Sequence, residues 1–367
     1  MLSNATHVVA PPFAHSRGPH DAKIAFVGEA FGAEEDRVGQ PFVGAAGRLL
    51  TKLAASASID IEECFLTNVI AARPYETRGG LRIKSNVFAK LCTRDKPPAP
   101  YGLTRIGEHG YLRNEFIGEL ERLREELDTV RPNVIVALGA IALWGLTGFT
   151  NIGKRRGTIG IVFFPERAVK LLPTYHPAYL LRGGWADAPT VISDLIKAKR
   201  ASRTREFTRP TRYILINPTI DECREFCASA VNASAPIACD IETHGGCISH
   251  VGFASNAHHA FVFPFVGPHE GSYWEHPEDE CAAWECVASI LASNVPKVFH
   301  NGMFDIAWFV EHMGLRVMNA RDDTMLLQHA LELEMLKGLG YLGSIYTDEP
   351  AWKLMRTRAR DVLKRDE

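Results

Sequence analysis

Lys23-Ile-Ala-Phe-Val-Gly28 is a short apolar run that ends on glycine. The stretch after it, Glu29-Ala-Phe-Gly-Ala-Glu-Glu-Asp-Arg-Val-Gly-Gln-Pro-Phe-Val-Gly-Ala-Ala-Gly-Arg-Leu-Leu50, passes through a glycine-rich loop into a helical pattern. A continuous apolar run bounded by glycine fits a strand buried on both faces, the pattern of a parallel sheet. Arg48 to Ala55 reads as a helix. Working outward, Cys64-Phe-Leu-Thr-Asn-Val-Ile70, Asn133 to Leu138 and Val169-Lys-Leu-Leu-Pro173 read as further buried strands. Glu115 to Val130 reads as an amphipathic helix, with Phe116, Leu120, Leu123 and Leu127 at helical spacing. Strand and helix alternate, so the first part of the chain is expected to be an α/β/α domain with a largely parallel sheet. Ligands of such sheets sit outside the carboxyl ends of the strands. Glu29, Asn68 and His176 all fall at those ends.

The chain has 367 residues and a formal net charge of −2, with 46% hydrophobic residues. That length fits two domains, and the charge excludes a global basic field for nucleic acid, leaving local patches to do such work. Eight cysteines include no CxxC pair. Cys223 and Cys227, four apart on a helical stretch, could pair as ligands, but buried free thiols fit better because no other ligand lies nearby. The segment from Met1 to Lys23 has no signal-peptide pattern, and the longest apolar run, Val134 to Phe149, falls short of the roughly 20 residues that span a bilayer. A cytoplasmic protein with no membrane partner is expected. Residues 75–113 read as an irregular insertion rich in Pro, Gly, Lys and Arg. Residues 197–212 carry seven basic residues and one acidic. They contain the expected boundary: a first domain over 1–200, a basic linker over 201–211 and a second domain over 212–367. Lys199 and Arg200 in this strip are candidate DNA contacts; a solvated linker is the alternative.

In the second part, Tyr213 to Ile216, Ile237 to Ile241, Val251 to Ala254, Ala260 to Phe263 and Lys297 to His300 read as strands of a mixed sheet. Helices are expected over 220–231, 278–291 and 304–313. Alternation along a strand puts Asp240 and Glu242 on one face, with Ile241 on the other. Asp305 follows at a strand-to-helix junction. Converging carboxylates are what two-metal phosphodiester hydrolysis requires. Two solvated carboxylates on an exposed strand are the alternative, against which Ala238 and Cys239 suggest burial. Asp323 fits the N-cap of a later helix.

Removing a base from DNA calls for flipping it into a pocket, stacking it, reading its polar edge and stabilising the charges that develop. The first part offers residue types for each task. The motif from Gly28 to Leu50, with Leu66-Thr-Asn68, Val134-Ile-Val-Ala-Leu-Gly139 and His176-Pro-Ala-Tyr-Leu-Leu-Arg182, resembles family 4 uracil-DNA glycosylases in four motifs and their order. The likeness covers about residues 22 to 200. It implies that Phe42 stacks on the flipped uracil and Asn68 pairs with its edge. It also implies that His176 donates to the base carbonyl that gains charge. Glu29 would lie by the sugar, with Asp36 and Glu35 as alternative acids. Gly28, Gly32 and Gly44 would let backbone approach the base, and Arg182 would support the phosphate side. Singly, Phe42 also fits a core, Asn68 a turn, His176 a loop and Glu29 a solvated surface. The family has proline where this chain has Phe31. It also holds a four-cysteine iron–sulfur cluster, for which no cysteine precedes Cys64 here, so a domain without an iron–sulfur cluster is expected.

Asp240-Ile-Glu242, His300-Asn-Gly-Met-Phe-Asp305, Asp323-Thr-Met-Leu-Leu327, Leu336 to Tyr346 and Glu349-Pro-Ala-Trp-Lys353 resemble the 3′–5′ exonuclease domain of phage-type family A DNA polymerases, a ribonuclease H-like fold. The resemblance implies Asp240, Glu242 and Asp305 as ligands of Mg²⁺ or Mn²⁺, with Thr243 and Asn301 near the terminal nucleotide. The third motif of that family, Tyr-x-x-x-Asp, has no counterpart after Trp352, where Asp361 and Asp366 stand without its tyrosine. An incomplete exonuclease domain is therefore expected, either completed by a separate polymerase polypeptide or kept as a remnant. DNA containing uracil is the expected partner. A catalytically inactive DNA-binding and polymerase-docking module is the rival; a mononucleotide enzyme lacks a P-loop.

Overall fold

The computed structural model describes residues 12–79, 81–96, 104–267 and 271–351. Asp361 and Asp366 lie outside the described residues, as do Trp352 and Lys353. The chain forms two compact units, one running to Phe207 and rejoined from Gly340, the other spanning Thr208–Leu339.

The first unit begins with β1 (Ile24–Ala30), α1 (Ala33–Val38), α2 (Ala45–Ser56) and β2 (Phe65–Ile70). Two small antiparallel ladders follow in the stretch read as irregular: β3 (Tyr75–Arg78) with β4 (Leu81–Lys84), and β5 (Cys92–Thr93) with β6 (Tyr111–Leu112). Then come α3 (Ile117–Val130), β7 (Val134–Leu138), α4 (Gly139–Thr147), α5 (Ile152–Arg155), β8 (Gly160–Phe164), β9 (Arg167–Thr174), α6 (Pro177–Tyr179) and α7 (Ala188–Ala201). The main sheet has the order β2-β1-β7-β9-β8, parallel except for β8. The expected parallel α/β/α unit is present. The sequence reading missed β8, an antiparallel edge strand whose Phe163 is exposed. One apolar layer joins Ala25, Val27 and Ile135 to Leu123, Leu127 and Trp144 of α3 and α4. The other joins Phe26, Leu66 and Val136 to Leu50, Leu53, Val191 and Leu195 of α2 and α7. From β1 the chain passes to β2 on one side and later to β7 on the other. The carboxyl end of β1 is thus the switch point, where such sheets open a crevice.

A buried ionic network fixes that end of the sheet. Arg122 of α3 pairs with Glu119 at 3.0 Å and Glu126 at 2.8 Å. Its guanidinium also donates to the carbonyls of Asn68 at 2.6 Å and Val69 at 3.2 Å. Glu126 accepts from the Thr67 hydroxyl at 2.6 Å, and Glu119 from the Ala71 amide at 2.7 Å. All three charged residues are buried. The last turn of β2, which carries Asn68, is thereby tied to α3 by charge-assisted hydrogen bonds rather than by apolar packing alone.

The second unit holds β10 (Tyr213–Leu215), α8 (Ile220–Ala230), β11 (Ile237–His244), β12 (Cys247–Ala254), β13 (His259–Pro264) and α9 (Pro277–Ala292). It closes with β14 (Lys297–Phe299), α10 (Gly302–Ala307), β15 (Ala320–Asp323) and α11 (Thr324–Leu331). Its sheet order is β10-β13-β12-β11-β14-β15, mixed as expected, with β12 antiparallel to both neighbours. A last helix, α12 (Leu339–Tyr346), belongs almost wholly to the first unit. The Lys197 ammonium donates to the carbonyls of Gly157 at 2.8 Å, Thr347 at 2.6 Å and Ser344, and the Tyr341 hydroxyl meets Thr190 at 2.7 Å. Among the described residues, no helix is long and apolar enough to cross a membrane.

Replacing Arg122 with Met leaves Glu119 and Glu126 buried without their cation. The expected cost is about 3–5 kcal/mol, measured as a lower midpoint in urea unfolding; a loss below about 1 kcal/mol would refute the role given to the network.

Candidate active site

A cleft of about 740 Å³ opens at the carboxyl end of β1, and Glu29, Phe42, Asn68, His176 and Arg182 line it together. Gly28 explains how they meet. It lies beside Asn68 in the parallel register of β1 and β2. A Cβ at Gly28 would stand 2.2 Å from the Asn68 Oδ1 and 2.5 Å from the Phe42 Cζ. Only glycine lets the amide and the ring close over the strand backbone.

Phe42 is buried and sits at φ 58°, a left-handed conformation that a bulky side chain rarely adopts. Gly47 in the first turn of α2 makes room for it, since a Cβ there would fall 1.8 Å from the Phe42 carbonyl oxygen. Strain of this kind, about 1–3 kcal/mol, persists only where the surroundings impose it. The Phe42 and His176 rings are 6.4 Å apart with 27° between their planes. Asn68 is buried, and its side-chain amide has no hydrogen-bond partner among the described residues.

His176 caps α6, accepting the Ala178 amide proton on Nδ1 at 3.1 Å. With Nδ1 used as an acceptor, the neutral ring carries its proton on Nε2 and can donate from there. Burial, helped by the positive charge of Arg182, pushes the His176 imidazolium down to about 4, so the ring is neutral near pH 7. Burial pushes the Glu29 carboxyl up to about 7, with Arg182 pulling the other way. One guanidinium thus favours the charged form of Glu29 and the neutral form of His176.

The other acids sit differently. Glu35 is buried and accepts the Gly44 amide at 2.9 Å, which ties α1 to the start of α2. Gly32 and Gly44 line the cleft, but the nearest atoms to a Cβ at either belong to the Glu35 carboxylate. Asp36 is not among the cleft residues; it pairs with Lys84 of β4 at 2.6 Å. Lys199 and Arg200 also lie away from the cleft, Lys199 donating to the Ser58 carbonyl and Arg200 paired with Asp348. Two features escaped the sequence reading. One is the Arg122 network behind Asn68. The other is a cleft wall formed by Asn86, Val87, Phe88, Ala89 and His109 of the insertion.

An iron–sulfur cluster does not fit the first unit. Its only cysteines are Cys64 and Cys92. Burial pushes the Cys64 thiol up to about 12 and the Cys92 thiol up to about 11, away from the thiolate that a cluster binds.

In the second unit, Ile237, Cys239 and Ile241 point into the core, while Ala238, Asp240 and Glu242 form the exposed face of β11. Burial of the two acids, suggested by Ala238 and Cys239, is therefore incorrect; strict strand alternation overrides the apolar neighbours. Asp305, in the first turn of α10, is buried and accepts the Ile241 amide at 3.0 Å. Burial pushes its carboxyl up to about 6, opposed by that amide and reinforced by the negative charge of Asp240. Asp323 caps α11 as expected. Burial works against its ionisation, but the amides of Asn301, Gly302, Met325 and Leu326 hold it below the usual carboxylate range. Thr243 sits at a register shift in β11, and Asn301 has a left-handed backbone. Among the described residues, no group of three His, Cys, Asp or Glu side chains is arranged to hold a metal ion. Asp305 is tied to β11 through the Ile241 amide, close enough for the Asp240 charge to act on it.

Comparison with known proteins gives two family matches. Residues 15–197 match the uracil DNA glycosylase superfamily, and residues 216–354 match a 3′–5′ exonuclease family. A type-4 uracil-DNA glycosylase of Archaeoglobus fulgidus is 35% identical over 170 residues, which cover 45% of this chain and 69% of that protein. One from Thermotoga maritima is 32% identical over 200 residues, covering 53% and 83%. Among solved structures, the EXD2 exonuclease domain soaked in Mn and GMP aligns at 17% identity, over 35% of this chain and 65% of that chain. Its TM-score is 0.22.

The opposed shifts can be read directly. In an NMR titration of labelled side chains, the Glu29 carboxyl is expected to titrate near pH 7 and the His176 ring to stay neutral down to about pH 4. Replacing Arg182 with Ala should raise both midpoints, because its charge favours carboxylate and opposes imidazolium. A Glu29 midpoint in the ordinary carboxylate range would refute its desolvation in the cleft.

Proposed function

The chain belongs to the type-4 uracil-DNA glycosylase family, and on that premise we propose that its first unit removes uracil from DNA by hydrolysing the N-glycosidic bond. The observation that carries the reading is the closure of Phe42 and Asn68 over Gly28, with His176 Nδ1 held by the Ala178 amide so that Nε2–H is left to donate into the same cleft. A flipped uracil stacks on the Phe42 ring, and the Asn68 amide pairs with its edge. As the bond between the base and C1′ breaks, the base takes the bonding electrons and one carbonyl oxygen gains negative charge. The neutral His176 stabilises that oxygen through Nε2–H. Glu29, ionised, stabilises the cationic sugar, orients the water that adds to C1′ and takes the proton that the water gives up. Gly28 and Gly32 let the base approach the backbone. Arg182 lies toward the phosphates; Lys199 and Arg200, held by the Ser58 carbonyl and Asp348, lie away from the cleft and its strand. Asp36 remains the weaker acid candidate, since Lys84 holds it outside the cleft.

The test is uracil release from a single-stranded oligonucleotide. Phe42→Ala should lose about 1–3 kcal/mol, the worth of one stacked base. Asn68→Ala should lose more in discrimination, because a reader of polar edges rejects the unmatched base strongly. Release should rise with pH through about 7 as Glu29 ionises, and Glu29→Gln should flatten that limb. Normal release by both Phe42→Ala and Asn68→Ala would sink the assignment. Binding of uracil-DNA without release would favour the rival, a DNA-binding and polymerase-docking module.

For the second unit we propose a 3′–5′ exonuclease-type role in DNA replication and proofreading, with Asp240, Glu242 and Asp305 drawn to a hard divalent cation such as Mg²⁺ or Mn²⁺. The family match and the link from Asp305 to β11 support it. The Asp240 charge acts on Asp305, and on the resemblance to the exonuclease family a further carboxylate, from a separate polymerase polypeptide, would complete the site. Residues 1–367 alone should therefore show weak divalent binding and background digestion of a labelled primer. Robust Mg²⁺-dependent digestion by this chain would overturn the proposal of incompleteness.

A further inference from the structure

The insertion carries more charge than its surroundings account for. Residues 73–113 hold nine lysines and arginines against three acids, in a chain whose net charge is −2. Part of that charge is neutralised locally: Lys84 by Asp36, Lys90 by Glu76 and Arg113 by Glu115. Arg94 and Arg105 are different. Both are exposed, and neither has an ion pair or side-chain hydrogen bond among the described residues. They converge with Glu108, His109 and Tyr111 on a hollow of about 450 Å³. His109 lines both this hollow and the cleft that holds Phe42 and Asn68.

The frame under the hollow is firm. Leu91, Ile106 and Leu112 are fully buried in the apolar layer beneath it. Thr93 pairs with Tyr111 in the β5–β6 ladder, and the Ile106 amide donates to the Gly110 carbonyl at 2.6 Å. Thr104, next to Arg105, accepts the Trp144 indole proton. The two guanidiniums thus rise from anchored backbone. Bringing like charges together on a fixed frame, with one carboxylate on the rim, favours an anionic ligand with several acceptor oxygens.

We propose that Arg94, Arg105, His109 and Tyr111 form a phosphate-binding subsite that holds the backbone of the DNA strand beside the nucleotide in the cleft. This rests on the glycosylase reading for the identity of the strand. The guanidiniums bind phosphate oxygens, and Tyr111 supplies a hydroxyl donor. The insertion is then both a wall of the base pocket and a grip on the strand. It supplies the local positive charge that the whole chain lacks.

Neutralised phosphates release counterions, so each lost contact lowers the slope of log K against log salt by about 0.7 on a single strand. The experiment measures equilibrium binding of the full chain to a single-stranded oligonucleotide with one uracil, across a salt series. Uracil release is followed separately. Arg94→Ala with Arg105→Ala should lower the slope by about 1.4, and each alone by about half of that. Arg94→Lys with Arg105→Lys should keep most of the slope, since it preserves charge. Lys23→Ala, at the opposite end of β1, should leave it unchanged. An unchanged slope in the double alanine variant would overturn the proposal, and so would an equal loss in Lys23→Ala. A parent that binds with the expected slope dependence but releases no uracil would refute the glycosylase reading while leaving the subsite standing.

Discussion

A single buried guanidinium underlies the geometry of the first unit. Arg122 reaches from α3 to two carboxylates on its own helix and two carbonyls at the end of β2. The carboxylates in turn hold Thr67 and the Ala71 amide. A buried charge is tolerable only when its partners are close and well oriented. That demand fixes α3 against β2 in one register. Asn68 then lies opposite Gly28, and the absence of a side chain at Gly28 lets Phe42 close over the same spot. The network touches the cleft only through backbone, yet it determines where the cleft's amide stands.

The same economy governs charge in the cleft. Burial raises Glu29 and lowers His176, the opposite signs that desolvation imposes on an acid and a base. Arg182 sits near both and reinforces one shift while opposing the other. The outcome is a neutral hydrogen-bond donor beside a carboxyl poised near neutrality, held by one exposed cation.

The two units differ in how their acids are held. In the cleft, the titrating groups converge on one crevice at a sheet switch point. In the second unit, β11 exposes Asp240 and Glu242 while Asp305 turns inward to the Ile241 amide. The Asp305 carboxylate spends one oxygen on a backbone amide, and burial raises its pKa. Helix α12 lies within the match to the exonuclease family, yet its Ser344 carbonyl and the Thr347 carbonyl just after it satisfy Lys197 of the first unit.

The sequence by itself determined the elements and the loci. Apolar runs ending in glycine gave β1, β2, β7 and β9, and with them the strand-end positions of Glu29, Asn68 and His176. Alternation put Asp240 and Glu242 on one face, and Asp323 read as a cap from its place before a helix. These are local properties, set by the periods of strand and helix. Glu119, Arg122 and Glu126 share the helix face of Leu123 and Leu127, a spacing that could have flagged them as buried, but charges on a helix ordinarily face water. Only the tertiary structure decided that they are buried, that Phe42 takes a left-handed backbone, that the insertion walls the cleft and that α12 joins the first unit. Each depends on groups far apart in the chain, as with Thr67 and Glu126 or Lys197 and Thr347. A protonation state shifted by desolvation, like that of Glu29 or His176, exists only once the fold has drawn water away from the group.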